Sequence, residues 1–167
     1  MKVAYFLKGY FESSGYNVIL TRTSDVALAH TKKEDIYKRV KLINNKNTIL
    51  YLSLHANSFP SNNVNGGQVF YSGSEENRNL AQKIQEYLKI VDNNKRQAKI
   101  IKDKYLLNNV NKTGCLIEVG FITGNIDSIN LKKDKYLDEI AKYIYLGTLE
   151  YLSIKGEHYE RNKSSSS

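Results

Sequence analysis

The chain has 167 residues, of which 41% are hydrophobic and 25% charged, a balance that is ordinary for a single soluble globular domain with its own core. It contains no apolar run of about 18 residues or more, which excludes a membrane-spanning helix, and its N-terminal apolar stretch is too short for a signal peptide. The one cysteine, Cys115, excludes an intramolecular disulfide and a cysteine-cluster metal site, and its apolar surroundings predict a core residue.

The chain carries a net charge of +8, from 25 Lys and Arg residues against 17 Asp and Glu residues. Such an excess would suit a nucleic acid, a membrane surface or an anionic polymer. The lysines are scattered, however, and the sequence has no helix-turn-helix, glycine-rich phosphate loop or aromatic-basic RNA motif. Charge therefore leaves an anionic partner open and gives no support for nucleic-acid binding.

The first third of the chain predicts two helices with a strand between them. The first helix rests on apolar residues at helical spacing, namely Val3, Phe6, Leu7, Tyr10 and Phe11. Tyr16 to Thr21 ("YNVILT") is typical of a strand. Thr31 and Glu34 form a capping-box pattern that opens the second helix, whose inward residues are Ile36, Val40 and Ile43.

Three more strands and three more helical segments are predicted downstream. "TILYLSL" is apolar nearly throughout, which indicates a strand covered on both faces, and Gly67–Ser72 and Gly114–Gly120 are the other two strands. A helix between them would bury Leu80, Ile84, Tyr87, Leu88 and Val91. Asn125 and Asp127 are expected to cap the next helical piece. The last helix would bury Leu137, Ile140, Ala141, Ile144 and Thr148.

Strands that alternate with helices predict an α/β fold, a three-layer sandwich in which helices flank a mostly parallel central sheet. The predicted domain covers residues 1–155. Residues 156–167 are polar and end in four serines, so we expect a disordered tail there.

Two polar residues interrupt apolar strands near their ends: His55 in "LSLHANS" and Glu118 in "CLIEVGF". A buried carboxylate needs a cation, a metal or a wet cleft, and ligands of open α/β sheets bind beyond the carboxyl ends of strands. Structural alternatives are a hydrogen bond from His55 to a carbonyl group and a salt bridge from Glu118 to a lysine. The residue types alone leave both interpretations open.

Three stretches in this order, "SLHANS", "GGQVFYS" and "CLIEVGFITGNID", closely resemble the zinc-dependent N-acetylmuramoyl-L-alanine amidases of the amidase type 3 family. The resemblance extends from Met1 to about Leu152. "SSGYNVILTRTSD", "KRVKLINN" and "NNKRQAK" look most like the germination-specific, spore-cortex branch. The family hydrolyses the amide between the lactyl group of N-acetylmuramic acid and L-alanine of the stem peptide.

The resemblance implies a Zn²⁺ site made by two histidines and a glutamate. One of these histidines is His55, in the "S-[IL]-H-A-N" motif, and Glu118 would act as general base and then as proton donor to the leaving amine. The other histidine and the glutamate ligand belong to family segments expected upstream of Met1, together with the first strand of the family fold. We therefore expect an N-terminally truncated chain that binds zinc poorly and has little activity.

Other candidate residues have weaker support. His30 and His158 are expected to be surface histidines, and Glu34 is explained by the capping box. Asn57 could contact the sugar or the peptide, or simply fix the turn through its own backbone, and Gln68 is a second candidate for substrate contact. Arg22 and Asp25 are expected to anchor a loop by an ion pair, and Arg39 to be structural.

Two functions follow from these interpretations. The first is a peptidoglycan hydrolase that acts at the cell wall or spore envelope, with peptidoglycan and an accessory spore protein as partners. The second is a non-catalytic pseudo-amidase that keeps the fold and binds the wall or a partner. Intact His55 and Glu118 favour a truncated enzyme over a degenerate relative.

Overall fold

A computed structural model describes the backbone of residues 1–164 and the side chains of residues 1–156. In chain order its elements are α1 (Lys2–Ser13), α2 (Lys32–Asn45), β1 (Leu50–Asn57), β2 (Gln68–Tyr71), α3 (Glu75–Asp92), β3 (Lys99–Ile100), α4 (Tyr105–Asn109), β4 (Thr113–Phe121), α5 (Asp127–Asn130) and α6 (Asp134–Ser164).

The four strands of the described residues form one mixed sheet in the order β1-β4-β2-β3. β1 pairs with β4 in parallel and β2 with β3 in parallel, whereas β2 and β4 are antiparallel. Two of the three pairings are thus parallel. The predicted α/β class with a sheet flanked by helices is confirmed.

Helices cover both faces of this sheet because its strands alternate apolar residues between the faces. Cys115, Ile117 and Val119 of β4 belong to the larger core cluster, which also includes buried residues of α1, α3 and α6. Leu116 points to the other face and lies in a smaller cluster with buried residues of α2 and α4. Cys115 is fully buried, as its apolar surroundings predict.

Local signals explain where two helices begin. Thr31 precedes α2, and its hydroxyl oxygen accepts a hydrogen bond from the backbone N–H of Glu34 at 3.2 Å. The same hydroxyl donates to the Glu34 carboxylate at 3.0 Å, so the predicted pairing of these two side chains is present. Ser74 caps α3 in the same way through the N–H of Asn77.

The prediction of a strand at Tyr16–Thr21 is wrong. The segment alternates half-buried Tyr16, Val18 and Leu20 with exposed Asn17 and Ile19, which is the burial period of a strand. It nevertheless has no ladder, because β1 pairs only with β4 and no strand of the described residues lies beside this segment. Side-chain alternation is a local property, whereas a strand also needs a neighbouring backbone.

Two short elements, β3 and α4, were not predicted, and the expected cap of α5 is also wrong. Ile126 occupies the N-cap position of α5. The Oδ1 atom of Asn65, from a distant loop, accepts the N–H groups of Ile126 and Asp127 at 2.9 and 3.0 Å. Residues 156–164 of the expected tail fall within α6 at the backbone level, whereas residues 165–167 and the side chain of His158 lie outside the described residues.

Gly147 allows α6 to pack closely on α3. A Cβ atom at this position would lie 2.8 Å from the Cα of Ile84 and 2.9 Å from the carbonyl oxygen of Lys83, both of which are backbone atoms. We expect Gly147→Ala to lower the free energy of unfolding by about 1–3 kcal/mol, since two helices must separate. Urea denaturation of the purified variant measures this change.

Gly156 is the matched control because it lies on the same helix and a Cβ atom there would have no neighbour within 4 Å. Gly156→Ala should be neutral or raise stability by up to about 1 kcal/mol through helix propensity. Equal effects of the two substitutions would contradict the packing argument.

Candidate active site

His55 and Glu118 lie side by side on neighbouring strands. His55 of β1 is the register partner of Glu118 of β4, and Gln68 of β2 is the partner of Glu118 on its other side. Because side chains alternate along a strand, His55 lies on the same face as Tyr51, and Glu118 on the same face as Leu116. That is the face covered by α2 and α4, so the imidazole and the carboxylate share one opening near the carboxyl ends of two parallel strands.

Glu118 is half-buried, and its carboxylate makes fewer hydrogen bonds than it could accept. Its Oε2 atom is buried without a hydrogen-bond partner, and no salt bridge to this carboxylate is found among the described residues. Burial raises the pKa of Glu118, and the positive charge of Lys104 opposes that effect. A raised pKa makes this carboxylate better able to hold and return a proton than an exposed one.

The imidazole of His55 contacts a side chain of its own strand, β1. Its Nε2 atom lies 3.0 Å from the Oγ atom of Ser53, two residues earlier on the same face. Partial loss of hydration lowers the pKa of His55, and the positive charges of Lys104 and Arg39 lower it further. The residue as a whole is exposed, so this loss of hydration is incomplete. A neutral imidazole has a lone pair available for a metal ion.

The neutral imidazole of His55 can donate to a divalent cation, and the carboxylate oxygen of Glu118 that lacks a partner lies on the adjacent strand. Within residues 1–156, no group of three or more His, Cys, Asp or Glu side chains is arranged to hold a metal ion. His30 is exposed and lines a separate groove of about 780 Å³ between residues 26–30 and α2.

Asn57 and Gln68, the two predicted substrate contacts, differ in burial and in hydrogen bonding. The Oδ1 atom of Asn57 accepts the N–H of Ser58 at 2.8 Å, so this side chain does fix the turn that follows β1. Gln68 is only 1% exposed, and its Nε2 atom donates to the carbonyl oxygen of Gln97 at 2.7 Å and to Oε1 of Gln85 at 3.1 Å. Contact with substrate stays a prediction for both, and the buried position of Gln68 argues against it there.

The loop between α1 and α2 is anchored by a different ion pair from the one expected. Arg39 pairs with Asp35 at 2.6 Å and donates to the Oγ1 atom of Thr21 at 2.9 Å, which gives it the structural role predicted for it. Arg22 and Asp25 form no ion pair in the described chain, so that prediction is wrong. The pairing of Arg39 with Asp35 lowers the pKa of Asp35.

One acidic residue that was assigned only as a helix cap organises the rim of the cleft. Asp127 is 1% exposed, and its Oδ2 atom accepts the N–H groups of Gly66 and Phe121, both at 2.8 Å. It therefore ties the loop before β2 to the end of β4. No local sequence signal distinguishes this role from helix capping. Gly66 is distant in sequence, and Phe121 lies at the end of an apolar strand.

The fold and this pair of residues define an α/β domain with an imidazole and a carboxylate near the carboxyl ends of two parallel strands, and comparison with known proteins gives its family. The family model for N-acetylmuramoyl-L-alanine amidase matches residues 1–150. The chain therefore belongs to this amidase family, as its motifs predict.

Among curated proteins, the chain is 41% identical to the germination-specific N-acetylmuramoyl-L-alanine amidase of Bacillus subtilis over 94% of its own length and 70% of that relative. Among solved structures, it is similar to the CwlD amidase of Clostridioides difficile, which was determined in complex with the GerS lipoprotein. The identity is 33%, the TM-score 0.88, and the match covers 92% of this chain and 84% of that one.

An N-acetylmuramoyl-L-alanine amidase of Nostoc punctiforme has 25% identity and a TM-score of 0.80, over 91% of this chain and 81% of that one. Across the described residues, no helix is both long enough and apolar enough to cross a bilayer.

Proposed function

We propose that this domain hydrolyses the amide bond between N-acetylmuramic acid and L-alanine in peptidoglycan. The observation that carries the proposal is the pairing of His55 with Glu118 on adjacent strands, with one carboxylate oxygen of Glu118 buried and free. Membership of the amidase family supplies the bond that is cleaved. The position of the pair at the carboxyl ends of β1 and β4 supplies an opening for substrate.

In this proposal Glu118 is the proton carrier of the reaction. Its carboxylate takes a proton from the attacking water and then gives it to the nitrogen of the leaving L-alanine, which restores the enzyme. Burial holds the pKa of Glu118 above its usual range, which makes the second transfer easier. Zinc, when bound, lowers the pKa of the water and polarises the scissile carbonyl. His55 would hold the metal beside this carboxylate.

The role of His55 gives a direct prediction for metal binding. We expect His55→Ala to weaken zinc binding at least about tenfold, because one imidazole donor is lost from the site. Competition with a chromophoric chelator measures this affinity. His30→Ala is the matched control, since His30 is exposed and lines a different groove. Equal losses in both variants would contradict the assignment of His55.

The experiment that tests the function is release of peptide from a muramoyl-peptide substrate by protein produced from the gene, including any codons in frame before Met1. Release that needs zinc and stops with dipicolinate supports a hydrolase. Binding of peptidoglycan without release, in zinc-loaded and folded protein, would instead identify a pseudo-amidase.

We infer that the domain acts at the cell wall or spore envelope, in cortex modification linked to germination. This rests on its 41% identity to a germination-specific relative. An accessory lipoprotein is a partner of the same kind as the one bound to the similar amidase of Clostridioides difficile. Affinity capture from sporulating cells, with the folded domain as bait and an unrelated domain of equal charge as control, tests for such a partner.

A further inference from the structure

Arg96, in the segment between α3 and β3, is a half-buried arginine with no carboxylate within 4.0 Å among the described residues. It belongs to the stretch "NNKRQAK", no residue of which is part of the proposed catalytic pair. We infer that Arg96 is a positioning residue for Glu118, because it fixes the end of β4 and the loop before β2 around that carboxylate. This inference rests on the proposed function and adds to it a residue that does not touch the reacting atoms.

Glu118 occupies the last rung of regular strand pairing on both sides of β4. On one side, the register of β1 and β4 is regular up to His55 opposite Glu118 and shifts before Asn57. On the other side, the ladder of β2 and β4 ends with Gln68 opposite Glu118. Gly120 follows with a φ of 154°, which residues with a side chain rarely adopt. Regular pairing thus stops at Glu118, and the position of the backbone beyond it depends on contacts from other segments.

The guanidinium of Arg96 contacts three segments that meet beside Glu118. Its Nε and Nη2 atoms donate to the carbonyl oxygen of Asn65, in the loop before β2, at 3.2 and 3.1 Å. Its Nη1 atom donates to Oε1 of Gln68, the residue opposite Glu118, at 3.5 Å. Its Cζ atom lies 5.0 Å from the centroid of the Phe121 ring, a cation–π distance, at the end of β4. One side chain therefore joins the strand of Glu118, the strand beside it and the loop that leads into that second strand.

Asn65 extends this connection to the turn after β4. Its Oδ1 atom accepts the backbone N–H groups of Ile126 and Asp127 at 2.9 and 3.0 Å, while its carbonyl oxygen accepts from Arg96. The loop before β2 is thus attached to the turn on one side and to the guanidinium on the other. Loss of the guanidinium removes one attachment of this loop and, with it, the contact that covers the end of β4.

No neighbouring acid neutralises the charge of Arg96. Asp92 and Asp127 are the acidic side chains of the segments that meet here, and each accepts a backbone N–H group instead. Asp92 accepts that of Gly67 at 2.7 Å, and Asp127 accepts that of Gly66 at 2.8 Å. Neither forms an ion pair with Arg96. The guanidinium is therefore held by carbonyl, amide and aromatic contacts rather than by a counter-charge.

These contacts need a guanidinium rather than any cation. Its planar fork reaches the carbonyl oxygen of Asn65 with two N–H groups while its flat face covers the ring of Phe121. An ammonium group is compact and cannot make both contacts from one position. We therefore expect Arg96→Lys, which keeps the charge, to lose the positioning effect.

The test is a double-mutant cycle with Glu118, in the zinc-loaded protein used for the cleavage assay. Arg96→Lys should lower kcat about 10–100-fold and leave KM within about twofold, because a misplaced proton carrier slows proton transfer rather than binding. In the Glu118→Gln background the proton carrier is already absent. Arg96→Lys should therefore lower the remaining rate there by less than about threefold.

Arg78→Lys is the matched control, because Arg78 lies on α3 and pairs with Glu75 at 3.3 Å on the surface, and it should leave kcat unchanged. Thermal unfolding checks that each variant is folded. Arg96→Gln takes the place of Arg96→Lys if the lysine variant is unfolded, and unfolding of both would identify a general structural residue and overturn the inference.

Two further outcomes would overturn the positioning role alone. They are a native kcat in Arg96→Lys, and the same fold-loss of rate from this substitution in the native and Glu118→Gln backgrounds. If the native zinc-loaded protein does not cleave at all, the proposed function and this inference fail together.

Discussion

Replacement of Glu118 by glutamine is expected to lower the rate of amide cleavage by zinc-loaded protein about 10²–10⁴-fold, the range for loss of one general acid–base group. Glutamine keeps the size of the side chain and can still make hydrogen bonds, but it cannot carry the proton from water to the leaving amine. The loss should fall mainly on kcat, because the proton transfer occurs in the transition state. Chromatography of released peptide over time measures it.

Glu139→Gln provides the control for the change of charge. Glu139 is exposed on α6, and α6 packs in the layer on the opposite side of the sheet. This variant should cleave at the native rate. If Glu118→Gln retains more than about a tenth of native activity, Glu118 is not the proton carrier, and another group must perform the transfer.

The structure also indicates why the central strands of this site were predictable from the sequence. β1 and β4 are apolar runs in which His55 and Glu118 are conspicuous, and a polar residue at the end of a buried strand is itself a signal. Register between the strands could not be predicted, because it depends on which strands become neighbours. The observed pairing of His55 with Glu118 supplies that missing step.

Predictions that relied on local pattern alone were less successful. Tyr16–Thr21 has the alternation of a strand but no pairing partner in the described residues. Asp127 lies at a typical capping position, yet its carboxylate accepts hydrogen bonds from Gly66 and Phe121. The effect of Lys104 on the pKa values of His55 and Glu118 was not predicted, because Lys104 is one of many scattered lysines. Each of these outcomes depends on contacts between segments that are distant in sequence.

Asp127 is also the residue whose loss should destabilise the domain most clearly. Asp127→Ala would leave the buried N–H groups of Gly66 and Phe121 without their acceptor. Each unsatisfied buried donor costs about 1–3 kcal/mol, so we expect the free energy of unfolding to fall by about 2–5 kcal/mol. Urea denaturation monitored by circular dichroism measures the change.

The control is Asp134→Ala, which removes another aspartate from the start of a neighbouring helix. Asp134 is exposed and pairs with Lys2 at 2.6 Å on the surface, so its loss should cost less than about 1 kcal/mol. The loss of unfolding free energy in Asp127→Asn should lie between those of the two alanine variants. The amide oxygen of asparagine can still accept a hydrogen bond, whereas its NH₂ group cannot. Since the Asp127 carboxylate joins the loop before β2 to the end of β4, the alanine variant should also lose peptide affinity at temperatures well below its unfolding midpoint. If Asp127→Ala lowers the free energy of unfolding no more than Asp134→Ala does, the two N–H groups find other acceptors. The rim of the cleft then does not depend on the Asp127 carboxylate.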